Sequence, residues 1–170
     1  MKQTLLRLLV TLFLSPLLVA CKIGYSFTGT SINYNVTKTI QLDKIVNRAS
    51  YVWAPMETML NNSIKDRFAN QTQLRQVKRD GDIQISGEIM SYDQFNKSIS
   101  SDGYSSQVQL RMVVNIRYKN RKTNETWEKP FSATTQYSST VSLASVQERL
   151  VTEMINDIVD QIFNASVANW

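Results

Sequence analysis

The sequence of 170 residues contains no histidine, one cysteine and five glycines, and each scarcity excludes a class of function. Without histidine, the chain lacks the commonest general base and the commonest metal ligand. With so few glycines, it carries neither a glycine-rich phosphate loop nor a nucleophile elbow. Asp80 and Asp82 lie close together but frame a turn glycine. We therefore predict a protein that is not an enzyme and holds no metal. A glycosidase that uses only carboxylates is the remaining catalytic alternative.

Charged residues are also scarce, at 19% of the chain, whereas hydrophobic residues make up 42%. This balance is typical of a globular protein, and the length suits one domain. Much of the remainder consists of Ser, Thr, Asn and Gln. Much of the surface must therefore be neutral and polar. The net charge of +5 is small, which disfavours nucleic acid as a partner.

The N-terminus has the pattern of a secretory signal. Lys2 and Arg7 precede an uncharged apolar run over residues 8–20. That run is shorter than the roughly 20 apolar residues of a transmembrane helix. We predict a lipoprotein signal peptide over residues 1–20. Its removal takes away two bases and no acid, so the mature chain is less basic than the whole sequence.

The single cysteine, Cys21, follows this run directly. Residues 18–21, LVAC, resemble a bacterial lipobox, in which the cysteine becomes the first mature residue. It then carries a diacylglyceryl group on its sulfur and an acyl chain such as palmitate on its amine. Two or three chains hold a protein at a membrane, whereas one anchors it weakly. A free cysteine behind an ordinary signal peptide is the alternative. Because Lys22 replaces the aspartate that retains some lipoproteins at the inner membrane, we predict a lipid anchor in the cell outer membrane.

The mature chain divides into a tether and one domain. Residues 21–37 are rich in Gly, Ser, Thr and Asn, and we predict a lipid-anchored tether there with a short edge strand near residues 25–27. Residues 38–170 carry alternating apolar patterns, typical of strands, at 38–46, 83–92, 107–119 and 126–138. In the second of these segments Gly87 predicts a bulge or a close backbone approach.

Two segments have helical periodicity. The first opens with Pro55 and has an apolar stripe that consists of Met56, Met59, Leu60, Ile64 and Phe68. The second follows a predicted capping box, Ser145 with Glu148, and has a wide apolar stripe from Val146 to Phe163. We therefore predict an α+β fold, a two-layer sandwich in which both helices pack on one face of a four-stranded sheet.

Such a sandwich leaves the other face of the sheet uncovered. The side chains predicted there are hydrophilic and thinly charged, namely Gln84, Ser86, Glu88, Gln109, Arg111, Arg117, Ser132, Thr134 and Gln136. Simple solvation and a contact surface are both open interpretations of this pattern. The following hairpin, KNRK at residues 119–122, suits phosphate groups but is equally an ordinary solvated turn. Our candidate contact residues are Arg111, Arg117, Lys119, Arg121 and Lys122.

Several short segments carry a family resemblance when they are taken in order behind the lipobox. They are Cys21 with residues 24–29, residues 38–40 leading to 47–49, Pro55, residues 81–83 with 87–89, and residues 162–164 with 169–170. In this order the chain resembles the lipopolysaccharide-assembly lipoprotein LptE family of Gram-negative bacteria over nearly its whole length.

The resemblance implies a fold, a function and a partner. It implies two helices on a four-stranded mixed sheet, and a plug inside the outer-membrane β-barrel LptD. There the lipoprotein helps the barrel to fold and helps to pass lipopolysaccharide into the outer leaflet, with no cofactor beyond the lipid on Cys21. No local motif carries over lipopolysaccharide-contacting residues, so the five candidate bases rest on the strand pattern alone. The alternative is a free-standing envelope lipoprotein that binds a glycolipid or a peptide without a barrel.

Overall fold

The computed structural model describes residues 32–99 and 105–167. Within them the chain forms two helices and six strands, in a single mixed sheet. The helices are α1, Pro55–Gln71, and α2, Leu143–Val167. The strands are β1 Thr39–Leu42, β2 Val46–Asn47, β3 Arg75–Val77, β4 Ile83–Ile99, β5 Ser105–Asn120 and β6 Glu125–Ser138. The predicted signal peptide, Cys21 and the strand near residues 25–27 lie outside the described residues.

The sheet has the strand order β3-β1-β4-β5-β6, and β2 pairs with β4 beyond the end of β1. β1 is parallel to both of its neighbours, whereas β4, β5 and β6 form an antiparallel meander. The α+β class and the two-layer sandwich are therefore confirmed, with six strands in place of the four predicted. A three-residue strand, β3, follows α1, and the predicted first strand is split into β1 and β2.

The split occurs where the backbone of Ile45 pairs with helix α1 rather than with β4. The side chain of Asn61 accepts a hydrogen bond from the N–H of Ile45 at 2.9 Å and donates to its carbonyl at 2.8 Å. It also donates to the carbonyl of Glu57 at 2.7 Å. One amide thus satisfies both polar groups of a buried residue that the sheet leaves unpaired.

The core lies between one face of the sheet and the two helices. On β5, alternate residues are buried, namely Leu110, Met112, Val114, Ile116 and Tyr118. The predicted stripe of α1 is buried as well, except for the half-buried Met59. The helices lie side by side and point the same way, since the rings of Phe68 and Phe163 are 5.3 Å apart near their C-terminal ends. At their N-terminal ends Gln147 reaches the hydroxyl of Tyr51, on the loop before α1.

Helix α2 begins two residues before the predicted capping box. Leu143 is the first helical residue and packs against the core, so Ser145 lies inside the first turn. Its hydroxyl donates to the carbonyl of Ser142 at 2.7 Å. The predicted capping box of Ser145 and Glu148 is therefore wrong, because the helix begins at the half-buried Leu143, which packs against the core.

Two glycines lie where the backbone of one strand touches another segment. The connection from β3 to β4 crosses β1 within residues 78–82, and a Cβ on Gly81 would lie 2.5 Å from the backbone nitrogen of Gln41. On β4, a Cβ on Gly87 would lie 2.3 Å from the carbonyl oxygen of Asn115. The predicted close approach at Gly87 is confirmed, and the bulge of this strand lies further on, between Ile89 and Ser91.

β6 is an edge strand, and it contains Pro130, a residue type that sheets accept mainly at their edges. The carbonyl of Ser132 accepts a hydrogen bond from the side chain of Gln161 at 3.1 Å, so its backbone groups point away from β5. Residues two apart on a strand point their backbone groups the same way. The backbone nitrogen of Pro130 therefore faces the free side of the strand. Its missing N–H costs no hydrogen bond to β5.

Candidate binding surface on the open face of the sheet

The face of the sheet that the helices leave uncovered, which we call the open face, is built by the residues that alternate with the core. All nine side chains predicted there are at least partly exposed. Gln109, Arg111, Asn115, Arg117 and Lys119 follow one another along β5, between the outward residues of β4 and β6. The open face is therefore a real feature of the fold, and its chemistry is that of amides, hydroxyls and a few charges.

Arg117 lies on the central strand of the meander, β5, between two carboxylates. Its Nη1 is 4.0 Å from Glu88 Oε1 on β4 and 3.9 Å from Glu128 Oε1 on β6. Asn115 Nδ2 donates to the same Glu128 oxygen at 2.5 Å. The charge of Arg117 is thus balanced by carboxylates within the sheet.

The other two candidates on β5 have different neighbours. The register places Arg111 between Asp93 on β4 and Thr134 on β6, both across the open face. Lys119 lies at the far end of β5, between Gln84 and Thr126. Arg111 therefore has one acidic neighbour in the register, whereas Lys119 has neutral neighbours on both strands.

Arg121 and Lys122 do not lie on the open face. They occupy the turn after β5, where Arg121 Nη1 contacts Asp80 Oδ1 at 3.2 Å and Lys122 Nζ contacts Asp82 Oδ1 at 3.2 Å. The structure thus places Arg111, Arg117 and Lys119 on the open face, with Lys119 at the end of the sheet where Arg121 and Lys122 also lie.

Asp82 joins three segments at that end. Its Oδ2 accepts hydrogen bonds from the backbone N–H groups of Lys38 at 2.9 Å and Thr39 at 3.1 Å. Its carbonyl accepts one from the N–H of Arg121 at 2.8 Å. Burial alone would raise the pKa of Asp82, but the hydrogen bonds from Lys38, Thr39 and Lys122 outweigh it and lower the pKa to about 2. The structural role that the sequence suggested for this aspartate is consistent with these contacts.

The open face also carries apolar residues that the sequence analysis did not name. Met90, at the bulge of β4, is 53% exposed, and Phe95 is 48% exposed opposite Gln109. Val113 is half-buried between Ser91 and Ser132. The sequence could have placed Val113 on the open face, because it falls out of phase with the buried residues of β5. Apolar side chains on the surface make this half of the open face, the half away from Lys119, suited to contact with a protein.

No group of three or more acidic or cysteine side chains within residues 32–99 and 105–167 could hold a metal ion. In the same residues, neither helix is long and apolar enough to cross a bilayer. The described part of the chain is thus a domain whose surface chemistry is hydrogen bonding and paired charge.

A family model fits this chain from the segment before β1 to the last turn of α2. The model is that of LptE, described as lipopolysaccharide-assembly, and it matches residues 37–166. The chain belongs to the LptE family. No curated protein sequence matches the chain. As an LptE-family member it is a lipopolysaccharide-assembly lipoprotein of the cell envelope, and the family is non-enzymatic.

Solved structures with the same fold include two lipoproteins. Rare lipoprotein B from Shewanella oneidensis has a TM-score of 0.54 at 18% identity, over 74% of this chain and 92% of that one. Uncharacterized lipoprotein B from Nitrosomonas europaea has 0.51 at 15%, over 74% and 79%. A neuraminyllactose-binding hemagglutinin homolog from Helicobacter pylori has 0.53 at 7%, over 81% and 87%. At these identities the likeness shows a shared fold and nothing about the ligands of this LptE-family chain.

Proposed function

We propose that the protein is a lipid-anchored plug of the outer-membrane barrel LptD, which it helps to assemble and through which it helps lipopolysaccharide to reach the outer leaflet. The proposal rests on membership of the LptE family and on the lipobox that ends at Cys21. It assigns the outer membrane as the location and the acylated Cys21 as the anchor.

The observation that carries this proposal is the pairing of charge within the open face. The wall of a barrel lumen is polar. A charge without a partner is costly to remove from water, whereas amides, hydroxyls and charges that are already paired dock at lower cost. Arg117, held between Glu88 and Glu128, meets that condition. We accordingly propose the open face as the surface that meets the barrel wall.

The five candidate bases have two proposed roles. Arg111 and Arg117 lie on the open face and are proposed contacts with the barrel wall or with lipopolysaccharide passing it. Lys119, Arg121 and Lys122 are proposed contacts with anionic groups, among them the phosphates of lipopolysaccharide. The paired carboxylates lower the net charge that each of the paired bases offers.

A pull-down through a C-terminal tag in mild detergent tests the barrel partnership. We expect a large outer-membrane barrel to co-purify with the wild-type chain. Arg117→Glu would place three carboxylates side by side on the open face, and we expect it to reduce the recovered barrel at least tenfold. Arg149→Glu is the matched control, because Arg149 is an exposed base that pairs with Glu153 on the helix side.

The competing function is a free-standing lipoprotein that binds a glycolipid or a peptide. It predicts that no barrel co-purifies from membranes and that the purified chain binds its ligand stoichiometrically. A wild-type pull-down without any large barrel therefore contradicts our proposal. Equal recovery from Arg117→Glu and Arg149→Glu would leave the partnership standing but contradict the assignment of the open face.

A further inference from the structure

Three segments meet at one end of the sheet, and we call this end the tip. It consists of residues 32–39, 75–82 and 119–126. Asp82 links them through its bonds to Lys38, Thr39 and Arg121, and Asn120 closes the turn by accepting from the N–H of Lys122 at 2.9 Å. The tip is therefore a built surface in which the three segments hold one another.

The tip carries the whole excess of positive charge in the described domain. Its seven bases are all exposed, namely Lys38, Arg75, Lys78, Arg79, Lys119, Arg121 and Lys122. Its three acids are Asp80, Asp82 and Glu125. Seven bases against three acids give a net charge of +4. The other described residues contain nine bases and ten acids, a net charge of −1.

Two of the tip's acids are already engaged with two of its bases. Asp80 pairs with Arg121 and Asp82 pairs with Lys122. Within the described residues, no ion pair neutralises the other five bases. Both helices end at the tip, and the partial negative charge of a helix C-terminus, about half a unit each, opposes this field without cancelling it.

The tip is also where the described chain begins. Ile32 is buried there, and it lies 11 positions after Cys21 in the sequence. Since an extended chain spans at most about 3.3–3.6 Å per residue, the tip lies within about 40 Å of that cysteine. Val36, in the turn between Asn33 and Thr37, is 51% exposed and adds an apolar group to the same surface.

We propose that the tip docks on anionic phospholipid head groups of the bilayer leaflet that holds the lipid anchor. This inference rests on the proposed acylation of Cys21. An anchor combined with a basic surface is the usual pair of signals for stable membrane attachment. Each base near an anionic surface improves partitioning by roughly fivefold, and the attraction fades within the Debye length of about 8 Å.

A depth measurement on the mature lipoprotein tests this docking. Asn35→Cys places a thiol on the exposed turn of the tip, and Val52→Cys places one on the exposed loop at the opposite end of the sheet. Each labelled protein is reconstituted in vesicles of phosphatidylcholine alone or with 30% phosphatidylglycerol (a chosen composition), with a quencher on the lipid head groups. We expect the label at residue 35 to be quenched only with phosphatidylglycerol and to recover in high salt, and the label at residue 52 to stay bright.

Charge variants separate the tip from the rest of the surface. In the residue-35 background, Lys78→Gln with Arg79→Gln removes two unpaired tip bases, and we expect the docked population to fall by roughly tenfold or more relative to the undocked one. Arg48→Gln with Arg149→Gln removes the same charge from exposed positions away from the tip and should change nothing. These variants leave the open face intact, so recovery of the barrel should be unchanged.

The outcomes distinguish this inference from the proposed function. A purified chain whose mass shows no lipid on Cys21 overturns the anchored plug, and the docking with it. A lipidated chain whose tip is not quenched on phosphatidylglycerol overturns the docking alone. Quenching that occurs only when lipopolysaccharide replaces phosphatidylglycerol, or that is equal for both charge variants, also overturns it.

Discussion

Thr39 and Asp82 are joined by three hydrogen bonds across 43 positions of sequence. The N–H and the hydroxyl of Thr39 donate to Asp82 Oδ2 at 3.1 and 3.0 Å, and the hydroxyl accepts from the N–H of Asp82 at 2.9 Å. These bonds fix the start of β1 against the start of β4. The parallel register of the two strands thus depends on one carboxylate whose side chain is only 17% exposed.

Asp82→Asn should destabilise the fold in a pH-dependent manner. The pKa of Asp82 is held near 2 in the folded state, against an ordinary 3.8, so its charge stabilises the fold. Because the folded-state pKa is the lower one, that stabilisation is complete above about pH 5 and is lost as the pH falls toward 2. We expect a cost on the order of 1–2 kcal/mol at pH 7, shrinking below pH 4. Urea unfolding followed by circular dichroism at several pH values measures it.

The matched control for that prediction is Asp80→Asn. Asp80 is 88% exposed and makes a single ion pair with Arg121, so its loss should cost less than about 0.5 kcal/mol. Asparagine also tolerates the positive φ of 57° at this position. Equal stability of Asp82→Asn and the wild type at pH 7 would contradict the role assigned to Asp82.

Gly87→Ala should destabilise the fold because strand β4 has no room for a Cβ there. The added carbon would lie 2.3 Å from the carbonyl oxygen of Asn115 and 2.8 Å from Cδ1 of Ile116. Since the first contact is with backbone, β5 itself must move, and we expect a loss of about 1–3 kcal/mol. Thermal unfolding compares this variant with Ser86→Ala, a neighbour on the open face, which should stay within about 0.5 kcal/mol of the wild type. A tolerated alanine at residue 87 would mean that the strands are further apart than described.

Asn61→Ala should leave both backbone polar groups of Ile45 without a partner. Ile45 is 2% exposed, and the amide of Asn61 is bonded to its N–H and its carbonyl. A buried group without a hydrogen bond costs about 1–3 kcal/mol, so we expect a total loss of at least about 2 kcal/mol. Hydrogen exchange should show faster exchange at Ile45, and Asn62→Ala, on the exposed side of α1, should show neither effect. Slow exchange at Ile45 in Asn61→Ala would contradict this account.

The sequence predicts the layers of the fold well because periodicity reports which side of each element is buried. The alternation along β5 identifies its five buried residues, and Pro55 and Pro130 mark the start of α1 and the edge strand. Short elements are different. β2 and β3 have two and three residues, too few for any period, and they exist because Asn61 and the crossing at Gly81 hold their ends.

The candidate surface is only half predictable for a related reason. Alternation places Arg111 and Arg117 on the open face, but it cannot show that Glu88 and Glu128 flank Arg117, because that depends on the register of three strands. The positive charge of the tip likewise cannot be predicted from the sequence, since its bases come from three separate segments. Only the fold brings those segments to one end of the sheet.

Cys21→Ser should abolish the anchor without touching the described domain. Serine lacks the thiol that accepts the diacylglyceryl group, so processing should stop and the chain should keep residues 1–20. Mass spectrometry of the membrane fraction should show an unacylated precursor, and barrel recovery should fall at least tenfold. Lys22→Asp is the companion variant. It keeps the lipid but supplies the aspartate that retains lipoproteins at the inner membrane in some bacteria, so in such a host we expect acylated protein in that fraction. A Cys21→Ser chain that is still cleaved after Ala20 and recovered with the barrel would show that attachment runs through the domain instead, because no acyl chain would then be present to hold it.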